Sequence, residues 1–436
     1  MNSKNRIGTF PFFYGYVIIF SGTIGVLMSA PGQTIGISVF TDFLIDALKI
    51  PRESLSLTYL IGTLSSSFLL TRAGTFFDRF GARVTSVLAA LFLGFSLYYL
   101  SEIVSITALI TDLFSEDYRT VIVFVSLVLG FFAVRFFGQG VLTMASRNMV
   151  MKWFDKRRGM ASAIMGIALS FGFSYAPKIF DDLINIYGWQ ETWQLLAIAT
   201  GAVFMIFAAI SFRDNPFDYG LMADGKEISS VKKNEPIYHP ATDYTLSEAR
   251  RTYSFWVFNI SLSMQALYGT ALTFHIVDVF NSVGLNREEA ISIFLPMALV
   301  AVIFEIISGY LADFIKMRYL LIVEICGMLI SMTGLTLLEN EWAIYLIIAG
   351  NGMASGLFGV VSSVTWPRFF GLKHLGSISG FNMSWIVAGS ALGPYLFSIL
   401  YGIKGSYQIP AVACLVLTLV LLILSFKAKN VNLKSE

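Results

Sequence analysis

Charge is scarce in this sequence. Asp, Glu, Lys and Arg make up 13% of its 436 residues, against ~25% for a soluble domain, so water is not the solvent for most of its surface. Cysteine is nearly absent. Cys326 and Cys414 both lie in apolar runs, where a thiol behaves as a small buried hydrophobe, and no disulfide framework or cysteine metal cluster follows. The three histidines, His239, His275 and His374, are far apart in the chain, so no catalytic cluster is visible and no enzyme is expected. The near balance of 30 basic and 28 acidic residues leaves no basic stripe for nucleic acid. No Gly-x-x-x-x-Gly-Lys-Ser/Thr loop occurs, which excludes ATP as a direct energy source; no cofactor and no metal are expected.

What is present is apolar length. With 56% hydrophobic residues and a mean hydropathy of +0.71, the chain calls for a bilayer as its partner. A spanning helix needs about 20 mainly apolar residues, and nine runs free of ionisable residues qualify: 12–40, 54–71, 84–101, 159–177, 192–212, 252–274, 342–367, 375–403 and 405–426. Three more carry one ionisable residue each: 120–146 with Arg135, 290–312 with Glu305 and 319–338 with Glu324. The first run, at 29 residues, exceeds the roughly 7 to 15 of a signal peptide's apolar region and reads as helix 1. The expectation is an all-α membrane protein with twelve transmembrane helices.

Lys and Arg set its orientation. With both termini in the cytoplasm, 23 of the 30 basic residues fall inside and 6 outside, Arg135 being in the membrane. The most polar segment, 213–251, carries 13 formal charges and three prolines and has too few apolar residues for a core. It reads as a cytoplasmic linker between an N-terminal half, 1–212, and a C-terminal half, 252–436.

The halves repeat each other weakly, as transporter halves often do. Gly74-Thr-Phe-Phe-Asp78-Arg79-Phe-Gly81-Ala-Arg83 is matched by Gly309-Tyr-Leu-Ala-Asp313, with Arg318 at the offset from its Asp that Arg83 has. A second pair is Lys156-Arg-Arg-Gly159 and Lys373-His-Leu-Gly376. The first half has 18 extra residues between these landmarks, which predicts an elaborated acidic external loop over 101–119. Physically, the Gly permits close helix approach, while the Asp caps the next helix and pairs with a base. Together these make a charged cytoplasmic gate. A positive-inside turn without gating is the plainer alternative.

At these residues the chain resembles the major facilitator superfamily. Within it, Arg135-Phe-Phe-Gly138-Gln139-Gly140, Trp153-Phe154-Asp-Lys-Arg157-Arg158-Gly159, Asn215-Pro216-Phe-Asp-Tyr-Gly220 and Thr273-Phe274-His275 are similar to the monocarboxylate porter and oxalate/formate antiporter-like branch. The resemblance implies a twelve-helix fold in two pseudo-symmetric six-helix halves and transport by alternating access. It departs at Ala301 and Glu305, where that branch's animal members carry Asp and Arg, and around Gln33, where a helix 1 lysine is usual.

Ionisable groups inside the bilayer cost at least ~2.5 to 3.5 kcal/mol and therefore need a partner or a role. Arg135 lies near mid-span with Gln139 one turn on, suited to clamping an anion; its alternative is a structural ion pair. Glu305, among apolar neighbours, suits a proton carrier, with a standing pair to Arg135 as the alternative. His275 and Asp278 share a face at the outer end of helix 7, with His275 a candidate for contact with substrate or proton and external water the plainer partner for Asp278. Gln33, Asn351, Asn382 and Trp385 are further cavity candidates, although an interhelical hydrogen bond explains each amide equally well. Lys178 reads as an outer-surface salt bridge with Asp181 and Asp182, and Glu324 as a contact of the cytoplasmic gate. The expected function is secondary transport of a small organic solute of the monocarboxylate type, coupled to H⁺, by a monomer in the cell membrane. The alternatives are an importer or drug exporter for a neutral, zwitterionic or cationic solute, or a non-transporting transceptor.

Overall fold

The computed structural model describes residues 11–225 and 243–430; His239, both chain ends and part of the central linker lie outside this range. The described chain is built of helices, ten of them long and apolar enough to cross a membrane. They are α1 (Gly15–Ser38), α2 (Arg52–Ser101), α4 (Glu116–Trp153), α5 (Arg158–Tyr187), α6 (Trp189–Ser211), α8 (Arg287–Ala312), α9 (Met317–Thr336), α10 (Ala343–Phe370), α11 (Leu375–Ile403) and α12 (Gln408–Ser425). The 50-residue α2 is two spans joined at Gly81, whose φ of 80° breaks the helix in a region that only glycine enters without strain. The remaining span is α7 (Tyr253–Asn281), 29 residues long. Its buried Ser254, Asn259, Ser261, Ser263 and Gln265 give it a polar stretch inside the span. Twelve spans result, as the apolar runs predict.

The expected external loop over 101–119 is instead largely the twelve-residue helix α3 (Ile103–Phe114). Ile103, Thr107 and Thr111 recur every fourth residue and are buried, while Leu109, Leu113 and Phe114 are exposed; this one-sided burial is what lets the insertion fold as a helix.

Two compact units form. The first comprises the described part of Met1–Trp153 together with Phe171–Leu221 and Ser379–Ser384. In it α2 packs along α4 and α6, with Gly94 and Gly201 in backbone contact: a Cβ on either would stand under 3 Å from the other's Cα. Phe40 stacks on Trp193 at 4.5 Å. The Trp153 indole donates to the Arg213 carbonyl at 3.0 Å and lies 5.6 Å from the Tyr14 ring.

The second unit comprises Phe154–Ser170 and the described parts of Met222–Ile378 and Trp385–Glu436. Here α10 lies against α8 and α9. Gly350 fits against Gly327 and Ser331, and Gly352 and Gly356 against α8 carbonyls, so these glycines serve close helix packing. The Tyr268 and Ser331 hydroxyls bond at 2.8 Å.

α5 and the full α11 helix, Leu375–Lys404, are each 30 residues long and carry an internal proline at the same place, Pro177 and Pro394. Pro177 follows Gly159, and Pro394 follows Gly376, by the same interval. The weak repeat in the sequence therefore extends through whole helices.

Candidate functional site

In the first unit the polar residues of the first and fourth spans meet. Arg135 is 1% exposed and begins a π-helical stretch, Arg135–Leu142, inside α4; such bulges re-aim side chains and recur at functional sites. Its Nη1 donates to the Gly32 carbonyl at 3.1 Å, and its Cζ lies 5.4 Å from the centre of the Tyr59 ring. Gly32 is essential to this approach, because a Cβ there would stand 2.9 Å from Gly138 Cα and closer still to the Val134 carbonyl.

Around the arginine sits an uncharged network. Gln33 Nε2 donates to Ser29 Oγ at 2.9 Å and to Thr143 Oγ1 at 3.3 Å, those two hydroxyls are 3.1 Å apart, and Tyr59 donates to Thr34 Oγ1 at 3.0 Å. Three polar atoms are left over. Arg135 Nε and Nη2 and Gln139 Oε1 are buried and have no hydrogen-bond partner among the described residues. Arg135 also makes no ion pair there, so the standing pair with an acid is not observed. A buried guanidinium holding two unused donor groups is costly unless a hydrogen-bond acceptor completes it. Tyr59, Ser29 and Thr143 escape sequence reading because hydroxyls are common in membrane helices and nothing in their spacing marks them.

In the second unit Glu305 is 5% exposed on α8. Its carboxyl lies on the backbone of Gly166 in α5 and near Gly359 in α10. Asn351 is buried, with its Nδ2 3.0 Å from Met297 Sδ and its Oδ1 unpartnered among the described residues. Gln265, which the sequence reading passes over, donates to Ser355 Oγ at 3.4 Å and has a buried, unpartnered Oε1; the polar stretch of α7 is the signal that could have found it.

His275 and Asp278 part company. The His275 ring is buried, its Nε2 is 3.0 Å from the Pro394 carbonyl and 3.3 Å from Ser398 Oγ, and its Nδ1 is 3.3 Å from the Tyr407 hydroxyl. Asp278, three residues on, is exposed. Burial, with Asp278 and Tyr401 nearby, pushes the Tyr407 phenol up to about 12. Asn382 is 3% exposed within the 379–384 segment of the first unit, and Trp385 packs edge-on against Trp256 at 5.6 Å.

The paired loop signatures resolve differently. In the first copy Gly74 is buried, Arg79 lies over the Phe80 ring at 5.1 Å, and the turn at Gly81 is held by Asp214, which accepts from the Arg83 amide at 3.1 Å. In the second copy Asp313 accepts from the amides of Gly159 at 2.7 Å and Met160 at 3.1 Å. It thus caps the start of α5 rather than the helix that follows it, and Gly309 lets Gly159 and Ala163 come close. Its basic neighbour is Arg368, at 3.8 Å. Arg318, expected there, instead donates to the Tyr319 hydroxyl at 2.8 Å. Burial holds the Asp313 carboxyl above the usual carboxylate range, opposed by the two amides and by Arg368.

Lys178 pairs with Asp182 at 3.4 Å, as expected. Glu324 does not meet a gate: it is fully buried on α9, and neither carboxyl oxygen has a hydrogen-bond partner among the described residues.

Residues 22–340, well over half of the chain, match the family described as the Major Facilitator Superfamily. No curated protein sequence matches the chain. Solved structures are similar in fold. The proton:xylose symporter XylE bound to 6-bromo-6-deoxy-D-glucose has a TM-score of 0.65 at 15% identity, over 96% of this chain and 98% of that one. The E. coli fucose:proton symporter FucP has 0.61 at 12%, over 95% and 99%. The human organic anion transporter MFSD10 has 0.60 at 14%, over 94% and 99%. With the family match over most of its length and this all-helical, multi-span architecture, the chain belongs to the Major Facilitator Superfamily of membrane transporters.

Proposed function

We propose that this protein is a secondary active transporter of a small organic anion of the monocarboxylate type, coupled to H⁺ and working by alternating access. The observation that carries the reading is Arg135, a buried guanidinium whose Nε and Nη2 bond nothing among the described residues. A carboxylate is the ligand whose two oxygens suit a planar fork of this kind. Gln139, Gln33 and Tyr59 would complete its surroundings, and Glu305 would carry the proton, with His275, Asn351, Asn382 and Trp385 as further contacts. The halves 1–212 and 252–436 would move about the linker 213–251, in a monomer in the cell membrane with both termini in the cytoplasm.

A second reading rests on the amide and hydroxyl network of Gln33, Ser29 and Thr143, which suits a neutral polyol or sugar. XylE and FucP, similar in fold, are sugar:proton symporters, and MFSD10 is an organic anion transporter. Uptake of radiolabelled formate, lactate, oxalate, xylose and fucose into proteoliposomes separates the two. The anion reading expects uptake of a carboxylate that Arg135→Ala abolishes; sugar uptake that survives Arg135→Ala favours the second reading.

A further inference from the structure

The Glu305 carboxyl occupies a place that can hold it only because two other helices present glycine there. A Cβ on Gly166 of α5 would overlap Glu305 Oε1 and Cδ and stand 2.9 Å from Oε2, and a Cβ on Gly359 of α10 would stand 3.0 Å from the same Oε1. Gly356 brings α10 onto the same turn, with its Cβ position 2.9 Å from the Glu305 amide. The carboxyl therefore lies against the backbone of α5 and near that of α10, and the residue is 5% exposed.

The internal repeat shows that packing does not require an acid at this position. Glu305 stands four residues before Gly309, as Leu70 stands four before Gly74. Leu70 is fully buried, and its Cδ2 would overlap a Cβ on Gly140. The same turn thus meets a glycine in both copies, with hydrocarbon in one and a carboxyl in the other.

We propose that Gly166 is a positioning residue for Glu305: it is the seat that keeps the coupling carboxyl against α5 and away from water, so that withdrawal of α5 from α8 is the event that exposes it. This rests on reading Glu305 as the coupling group. The step itself is a proton transfer from the carboxyl oxygen to water once the seat opens, and the reverse on reloading. The charged or titratable groups on the elements packed there are Arg158, Tyr175, Lys178, Asp181, Asp182 and Tyr187 on α5, and Tyr345 and Arg368 on α10. On α9 they are Arg318, Tyr319, Glu324 and Cys326, and on α8 itself Arg287, Glu288, Glu289 and Tyr310, with Asp313 just beyond its end. Arg158 and Arg368 lie eight and nine residues along their helices from Gly166 and Gly359, more than two turns away.

The test needs no known substrate. The full chain in lipid nanodiscs is treated with a water-soluble carbodiimide and an amine, and modification of Glu305 is read by peptide mass spectrometry from pH 5 to 9, for wild type, Gly166→Ala and Gly166→Ser. Displacing the carboxyl from its seat should raise Glu305 modification severalfold and shift its pH profile, while Glu324 modification stays unchanged as an internal control. Because Gly166→Ala can also destabilise, its melting temperature is compared with that of Gly166→Ala/Glu305→Ala. Removing the carboxyl should restore most of the loss. Wild-type modification in Gly166→Ala, or a melting loss that Glu305→Ala does not relieve, overturns the seat. If wild-type proteoliposomes move no protons with any carboxylate, the coupling role of Glu305 fails, while the modification data still decide where its carboxyl sits.

Discussion

Asp224 and Asp243, near the two ends of the central linker, hold equivalent pieces of backbone. Asp224 accepts from the amides of Asp155 at 3.3 Å and Lys156 at 2.8 Å, and Asp243 accepts from Leu372 at 3.0 Å and Lys373 at 3.2 Å. The two pairs precede α5 and α11 and have the same chain separation as Gly159 from Gly376 and Pro177 from Pro394. Gly371, at a φ of 81°, leaves room for Asp243, since a Cβ there would overlap its Oδ1.

Each aspartate should therefore act as a loop cap. Asp224→Ala and Asp243→Ala are each expected to cost about 1 kcal/mol, the usual worth of a capping carboxylate. Differential scanning fluorimetry of the purified protein reads this as a lower melting temperature. Unchanged melting in both variants would mean that the linker contributes no hold on these loops.

Arg135→Ala and Arg135→Lys should both impair carboxylate uptake. Loss of a charge-assisted hydrogen bond costs roughly 1.5 to 3 kcal/mol, which corresponds to about 10- to 100-fold in apparent affinity. Lysine keeps the charge and loses the planar fork, so its uptake should recover only in part. Full uptake by Arg135→Lys would show that a point charge suffices.

At Asp313 the sign of the pH dependence is set by burial. Its carboxyl lies above the usual range in the folded protein, so the folded state binds this proton more readily than the unfolded chain. The stability due to this group is fully present below about pH 4, the unfolded value, and is lost as pH rises through the folded one. Asp313→Asn removes that titration while keeping one acceptor for the α5 amides. Its melting temperature from pH 3.5 to 7 should vary less than that of wild type; identical slopes would contradict the assignment.

Tyr407 gives the alkaline counterpart. With its phenol at about 12 against an unfolded value of about 10, the stability it contributes is present below pH 10 and declines between 10 and 12. Tyr407→Phe should flatten the loss of stability in that window, followed by tryptophan fluorescence.

The spans, their number and the paired loops are legible in the sequence because each follows from local apolar length or a short repeated string. α3 is not legible as a helix, since its twelve residues are too short for a span and its acidic flanks read as loop. Arg135 and Glu305 stand out because a charge inside an apolar run is costly wherever it folds. Their surroundings do not stand out. The π-helical turn, the Gly32 carbonyl and the seat on Gly166 depend on how separate helices pack, and no spacing in the sequence encodes that. The Asp313 cap on α5 is hidden for the same reason: the motif names the acid, but its partners lie about 150 residues away in the chain, a separation that local capping rules do not reach.

Proton movement tests the central claim most directly. Proteoliposomes containing a pH-sensitive dye are given short carboxylates, amino acids and sugars, with wild type beside Glu305→Gln. The account predicts that a carboxylate drives proton flux in wild type, and that Glu305→Gln abolishes this flux while exchange of the same carboxylate persists. Proton flux in Glu305→Gln equal to that of wild type, or no proton movement with any carboxylate, would contradict it.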